Sequence, residues 1–246
     1  MTGQLVCRPQ QDLPVAILRV SGVLDLVTGN ALEGAIAHCL AVQPRALLID
    51  ATELEIPDSA ALDVLSAVAC RTAQWPGVPV VLYGARGSAA ATLAAWPGCD
   101  GVSTAESCAA ALARTREGLA PRLVRIRLRP VPDACRQVRQ FVTQACATWQ
   151  RSELSAAAAL VATELVANVV RHAHTTMEFT VGLRDGRVCL TVRDGSRLLP
   201  RLREPSLNDA GGRGLHLVRE LTDAWGVLPV TDGKVVWTQL TAAAAA

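Results

Sequence analysis

Lysine is almost absent from this sequence of 246 residues: Lys234 is the only one, and arginine supplies the other basic side chains. We attribute this bias to a GC-rich genome. The net charge at pH 7 is only +2, and the basic residues form no long run and no patch interleaved with aromatic side chains. Nucleic-acid-binding proteins usually carry a larger positive charge or a basic patch, so these features argue against that class of protein.

Signals for secretion, membrane insertion and metal binding are also missing. The N-terminus has no basic segment followed by an apolar run, and Asp63 or Glu164 interrupts the longest apolar stretches before the ~18 residues that a membrane span requires. The eight cysteines form no C-x-x-C pair and no Cys/His ligand quartet, so we expect buried, apolar thiols. The sequence therefore predicts a soluble cytoplasmic protein without a membrane or nucleic-acid partner.

The chain is longer than one typical domain of ~100 to 200 residues, which predicts two compact units. Short apolar strands near 15–21, 46–49 and 78–84 alternate with helices, and this order is typical of an α/β domain. We assign this first domain to residues 1–117. The sequence GLAPR at 118–122 places glycine and proline where a helical pattern stops, so we interpret it as a linker.

The second domain, residues 123–246, begins with a strand of alternating apolar and basic residues, LVRIRLR. Two helices follow, the longer of them over about 152–172, and then two strands that meet at the Asp-Gly turn signal at 185–186. The pattern ends with a helix that has a glycine-rich start, GGRGLHLVRELTDAWG, and with a last strand, GKVVWTQL.

Polar residues recur at one-turn intervals along TELVANVVRHA. Glu164, Asn168 and His172 stand at i, i+4 and i+8, so they share one helix face beside an apolar face that can pack on a sheet. A carboxylate and an amide oxygen one turn apart can hold a divalent cation close to a hydroxyl group. This spacing alone is also typical of the solvated face of an amphipathic helix.

Two further motifs follow in the chain. Asp194 ends the apolar strand VCLTV, which places its carboxylate at a strand end. The segment Gly-Arg-Gly-Leu at 212–215 then opens a helix, where backbone N–H groups and the positive end of the helix dipole favour phosphate.

This order of motifs over residues 123–240 resembles the GHKL (Bergerat) fold, an α/β sandwich that binds ATP. Within it, ELVANVVRHA, VRDGS, GGRGLHLV and GKVVW are most similar to the anti-sigma-factor serine kinases. The resemblance implies a protein serine/threonine kinase with Glu164 as general base, Asn168 as the ligand of Mg²⁺, and Asp194 as acceptor of a hydrogen bond from the adenine of ATP. The other implied ATP contacts are Gly195, Gly212, Arg213, Gly214 and Leu215.

Some residues depart from the family pattern. Ser196 and Leu198 stand where its Asp-x-Gly-x-Gly motif has glycines, and Lys234 follows Gly233 where the last strand commonly has threonine. His172 matches the histidine at the end of the family's helix, for which we expect a packing or capping role. We expect these changes to affect the shape of the adenine pocket.

The first domain resembles a STAS domain, the fold of anti-sigma-factor antagonists, in VAILRVSGVLDLVTGNAL and LLIDATELEIPDSAALDVL. In phosphorylated antagonists the helix that follows begins Asp-Ser-Ser-Gly, and the second serine accepts the phosphate. This chain has Asp58, Ser59, Ala60 and Ala61 there. The acceptor position is therefore Ala60, and Ser59 is expected to cap the helix.

Together these resemblances imply a bacterial partner-switching regulator of a sigma factor, in which a serine kinase is fused to a STAS-like module that cannot be phosphorylated. The implied partners are a sigma factor, a separate STAS antagonist, or both, and a homodimer is compatible with this interpretation. The alternative is a non-catalytic, ATP-dependent protein-binding module. A two-component histidine kinase is disfavoured because no helical segment with an acceptor histidine precedes the ATP domain.

Overall fold

The computed structural model describes residues 5–12, 15–57, 63, 66–67, 78–95, 102–116, 122–184, 186–200 and 213–242. The chain divides into two compact units, Met1–Ala120 and Pro121–Ala246. The division falls within the segment 118–122 that we interpret as a linker.

The N-terminal unit is a five-stranded sheet with helices packed against it. Its strands are β1 (Val6–Asp12), β2 (Val15–Val23), β3 (Ala46–Glu55), β4 (Val80–Tyr83) and β5 (Val102–Ala105), in that spatial order. Its described helices are α1 (Gly29–Ala41), α2 (Gly87–Ala95) and α3 (Cys108–Arg116). All neighbouring strands are parallel except β1 and β2, so α1 and α2 are the crossover connections of parallel strand pairs.

The α/β class predicted for this unit is confirmed. β3 begins with four buried residues, as expected for a parallel strand that is covered on both faces. The sequence analysis missed β1, whose VCRPQQD is polar and contains Pro9, because such a strand is tolerated only at an edge. The helix predicted from Asp58 or Ser59 onward lies outside the described residues, apart from short fragments.

The C-terminal unit is a second five-stranded sheet, and it is entirely antiparallel. Its strands are β6 (Arg122–Leu128), β7 (Met177–Arg184), β8 (Arg187–Asp194), β9 (Ala224–Val230) and β10 (Gly233–Leu240), in the spatial order β6-β7-β8-β10-β9. Its helices are α4 (Asp133–Thr148), α5 (Ser152–Asn168) and α6 (Arg213–Leu221), and a π-helical turn (Val169–Ala173) continues α5.

The helices and the sheet of this unit enclose one apolar core. Val142 of α4, Leu165 of α5 and Val192 of β8 are buried in it together. Phe179 of β7 is fully buried, and its ring meets that of Phe141 edge to face at a centroid distance of 6.3 Å. The predicted α/β sandwich is thus confirmed as a helical layer on a sheet.

The segment Ser152–Ala173 is long and apolar enough to cross a membrane by length and composition. The expectation that Glu164 interrupts it is wrong, since one carboxylate does not lower the mean hydropathy sufficiently. However, 56% of the apolar window is buried inside the unit, where Val161 and Val166 lie in the core. The core helix of a soluble protein has this same composition.

The six described cysteines are all free thiols. Cys39, Cys146 and Cys189 are buried, and the other three are partly buried. Burial raises the pKa of Cys39 to about 11, so this thiol stays protonated at neutral pH. The described cysteines therefore pack as small side chains, as the sequence indicated.

The helix α6 ends earlier than the sequence predicted. The sequence pattern predicts helix up to Gly226, but α6 stops at Leu221 and Ala224–Val230 forms strand β9. The N–H of Asp223 donates to the carbonyl of Gln239, which ties the chain to β10. Gly226 allows the strands to pair closely, because a Cβ there would lie 2.7 Å from the ring of Trp237.

The core position of Phe179 predicts a large effect on stability. Phe179→Ala should lower the free energy of unfolding of the C-terminal unit by about 3 to 5 kcal/mol, since it removes a fully buried ring. Hydrogen exchange of peptides from β7 and β8 at increasing urea measures this unit alone. The control is Val124→Ala on β6, where the side chain is 39% exposed and we expect a loss below about 1 kcal/mol. Equal losses in the two variants would contradict the assigned core.

Candidate active site

A cavity of about 930 Å³ lies in the C-terminal unit, at the end of α5 and beside β8, β10 and the start of α6. Its apolar lining includes Leu165, Val169, Val192, Leu215 and Val236. Its polar lining includes Asn168, Arg171, His172, Asp194, Ser196 and Lys234. An apolar wall with a few convergent polar groups is the usual composition of a small-molecule site.

Asn168 lines the cavity at the point where α5 changes its geometry. The α-helical pattern ends at Asn168, and the next five residues form a π-helical turn that closes with a bond from the N–H of His174 to the carbonyl of Val169, 2.9 Å. Single π turns inside helices frequently occur at functional sites. The prediction of one α-helical face through His172 is therefore wrong in its last turn, although Asn168 and His172 both line the cavity. His172 is exposed, so it has no packing role in the core.

Glu164 lies one turn before Asn168 and is half-buried. It is not among the described residues that line the cavity, but it packs directly against Gly214 at the start of α6. A Cβ at Gly214 would overlap Oε2 of Glu164 and lie 3.3 Å from its Cδ. The absence of a side chain at Gly214 thus lets the start of α6 approach this carboxylate.

Asp194 is the last residue of β8, and its side chain is fully buried. Its Oδ1 accepts a hydrogen bond from the N–H of Ser196 at 2.8 Å and pairs with Nζ of Lys234 at 2.8 Å. Its Oδ2 is buried and has no hydrogen-bond partner among the described residues. A buried acceptor of this kind costs about 1 to 3 kcal/mol unless a ligand or water supplies a donor.

The pairing register explains why Lys234 meets Asp194. The two residues are direct partners across β8 and β10, and Lys234 Nζ also donates to the carbonyl of Ser196 at 3.1 Å. Gly233 is required beside them, because its φ is +155° and a Cβ there would overlap the carbonyl oxygen of Asp194. Sequence analysis identified Lys234 as a departure from the family but did not predict this contact.

The remaining predicted site residues are distributed around the cavity. Gly214 and Leu215 line it, whereas Gly195 does not, and the N–H of Gly195 donates to Oγ1 of Thr175 at 3.0 Å. Arg213 begins α6. Gly212 lies outside the described residues.

Comparison with known proteins identifies the domain that contains this cavity. Residues 128–240 match the family of histidine kinase-like ATPase domains. The C-terminal unit is thus similar to a histidine kinase-like ATPase domain over this range and is called the ATPase domain. The predicted GHKL fold is thus confirmed, and the cavity lies in its ATP-binding domain.

The chain is also similar to proteins of anti-sigma regulation. It is 40% identical over 70 residues to the anti-sigma-F factor antagonist RsfB of Mycobacterium tuberculosis, which covers 28% of this chain and 57% of that protein. The chain thus spans little more than half the length of this relative, and the similarity confirms the STAS-like unit.

Among solved structures, the RsbU and RsbW domains of Rv1364c from Mycobacterium tuberculosis share 19% identity with this chain. The match covers 48% of this chain and 32% of that chain, with a TM-score of 0.39. An anti-sigma factor antagonist from Mycobacterium paratuberculosis shares 24%, with 46% and 95% covered and a TM-score of 0.34.

The residues of the ATPase domain fit an adenine nucleotide. The free Oδ2 of Asp194 is an acceptor at an apolar wall that includes Val192 and Val236, which suits an aromatic ring with an amino group. Asn168, Arg171 and the start of α6 at Gly214 line the same cavity and suit phosphate oxygens with their cation. Among the described residues there is no group of three or more His, Cys, Asp or Glu side chains that could hold a metal ion.

The buried ion pair predicts strong coupling between its two residues. Asp194→Asn and Lys234→Met should each lower the free energy of unfolding of the ATPase domain by about 3 to 5 kcal/mol, because each leaves one buried charge without its partner. The double variant should lose at least about 1 kcal/mol less than the sum, as urea denaturation would measure. The control is Asp232→Asn in the neighbouring pair with Arg193, where Asp232 is 61% exposed and the expected loss is below about 1 kcal/mol. Additive losses would contradict the coupling.

Proposed function

We propose that this chain is a partner-switching regulator whose ATPase domain phosphorylates a serine on a separate STAS protein and restrains a sigma factor. The observation that carries the proposal is the contact of Glu164 with Gly214, beside the cavity lined by Asn168 and Asp194. This arrangement supplies a carboxylate next to a site suited to the phosphates of ATP. The similarity to an anti-sigma-F factor antagonist supports a regulatory role of this kind.

Each polar group of the cavity has a separate role in this proposal. Asp194 would accept a hydrogen bond from the adenine amino group. Asn168 would supply an amide oxygen to Mg²⁺, which normally keeps several waters and therefore needs few protein ligands. The backbone N–H groups at the start of α6 would hold the phosphates, and Arg171 adds positive charge at the cavity wall.

Glu164 would act as the general base. Its carboxylate would take the proton from the serine hydroxyl of the partner, and that oxygen would then form its bond to the γ-phosphorus. ATP, when bound, supplies the phosphoryl group, and ADP leaves with the electrons of the broken P–O bond. Glu164 is half-buried, and the proposed role requires that a hydroxyl from outside the domain reach its carboxylate.

Substitution at Glu164 tests this role. Glu164→Gln should slow phosphoryl transfer to a separate STAS protein that retains Asp-Ser-Ser-Gly by about 10² to 10⁴-fold, while the affinity for ATP stays nearly unchanged. Gly214→Ala should also slow transfer at saturating ATP, by roughly 10²-fold, because its Cβ displaces the Glu164 carboxylate. Single-turnover transfer of labelled phosphate measures both effects.

Matched variants control for loss of a carboxylate or a glycine as such. Glu178→Gln on β7 removes a carboxylate that pairs with Arg125 at 3.4 Å, and it should leave the transfer rate unchanged. Gly34→Ala on α1 places a Cβ where nothing lies within 4 Å, so it should also have no effect. If the unsubstituted chain binds ATP but transfers no phosphate to any such partner, the non-catalytic ATP-dependent binding module is the correct function.

We expect that the ATPase domain does not phosphorylate the STAS-like module of its own chain. Ala60 offers no hydroxyl at the acceptor position. In the helix that the sequence predicts there, neighbouring side chains would point about 100° apart, so we expect that a site shaped for position 60 does not accept Ser59. Incubation with ATP and Mg²⁺ followed by peptide mass spectrometry should show no phosphate on Ser59 and phosphate on residue 60 in Ala60→Ser. Stoichiometric phosphate on Ser59 would refute this prediction.

A further inference from the structure

Lys234 is the only lysine of the chain, and it is buried in strand β10. Its side chain is only 8% exposed, yet it lines the cavity of the ATPase domain. A lysine is rarely buried to this extent unless it is paired. The partner, Asp194, is the residue that we expect to contact adenine, so the ion pair lies within the nucleotide site.

The ion pair leaves one N–H donor of Lys234 and one carboxylate oxygen of Asp194 available for a ligand. An ammonium group carries three N–H donors, and two of them are directed to Oδ1 of Asp194 at 2.8 Å and to the carbonyl of Ser196 at 3.1 Å. On the acceptor side, Oδ1 is occupied, whereas Oδ2 has no partner among the described residues. A ligand in the cavity thus meets a free carboxylate oxygen next to an ammonium group.

This donor and acceptor match one edge of adenine. The N6 amino group of adenine donates, and the neighbouring ring atom N1 accepts. We propose that Lys234 reads the purine directly, donating a hydrogen bond to adenine N1 while Asp194 Oδ2 accepts one from the N6 amino group. The inference rests on the proposed binding of ATP in this cavity and adds a specificity-determining residue to it.

Guanine in the same orientation would reverse both contacts. Its O6, which is an acceptor, would face the carboxylate of Asp194, which also accepts. Its N1–H, which is a donor, would face the ammonium of Lys234, which also donates. Asp194 alone would oppose only one of these groups. The pair therefore discriminates against guanine more strongly than the carboxylate does by itself.

Analogues that lack one atom of the adenine edge test the proposal. Isothermal titration should show that 1-deaza-ATP, in which N1 is replaced by C–H, binds the unsubstituted chain about 10- to 100-fold more weakly than ATP, the loss expected for a hydrogen bond to a charged group. In Lys234→Met the difference between these two ligands should fall below about threefold. Purine riboside triphosphate lacks the amino group and should bind weakly to both proteins, because its lost contact is to Asp194.

A second measurement needs no variant. Protein labelled with ε-¹⁵N-lysine carries one labelled ammonium group, because Lys234 is the only lysine. Its resonance should shift when ATP is added and shift much less with 1-deaza-ATP. This readout remains informative if Lys234→Met does not fold.

The outcomes separate the inference from the proposed function. If ATP and 1-deaza-ATP bind the unsubstituted chain equally well, Lys234 does not contact N1 and the inference is wrong, while ATP binding stands. The inference also fails if Lys234→Met keeps the full preference for ATP. If the unsubstituted chain binds no ATP at all, the proposed function itself is overturned.

Discussion

The carboxylate of Asp194 is the group on which the site of the ATPase domain depends. One oxygen, Oδ1, bonds to the N–H of Ser196 and to Lys234, so it fixes both the turn after β8 and the pairing with β10. The close approach of the strands is possible because Gly233 has no side chain to overlap the backbone of Asp194. The other oxygen remains for a ligand. This side chain thus contacts both the turn after β8 and strand β10, and we propose that its second oxygen binds the ligand.

The regular elements and most of the candidate site follow from local patterns in the sequence. An apolar strand that ends in Asp194 and a helix that carries Asn168 could be assigned without a structure, and both residues do line one cavity. The π-helical turn after Asn168 and the strand β9 could not. The strand β9 depends on pairing with β10, where the ring of Trp237 lies over Gly226, and a local pattern does not contain such contacts between separate segments.

The pairing of Lys234 with Asp194 shows where the limit lies. The two residues are separated by 40 positions, and the register of β8 against β10 is required before they can be placed opposite each other. Once it is known, the period of two along a strand explains the rest, because Val236 shares a face with Lys234 and Val192 shares one with Asp194. All four residues line the cavity. The contact between Lys234 and Asp194 can therefore be predicted only when the register of β8 against β10 is known.

Ser196 and Leu198 replace glycines of the family pattern, and their backbone conformation explains why this replacement is compatible with the site. Glycine is favoured where φ is positive, and the non-glycine residues with positive φ in the described part of the chain are Gln43, Gln150 and His174. Ser196 and Leu198 are described and are not among them, so their backbone needs no glycine. The contact that Ser196 makes with Asp194 uses its backbone N–H, which any residue but proline supplies. Leu198 is 77% exposed, so its side chain does not fill the cavity that it borders. Neither departure from the glycine pattern therefore conflicts with the proposed role of Asp194 as the hydrogen-bond acceptor for adenine.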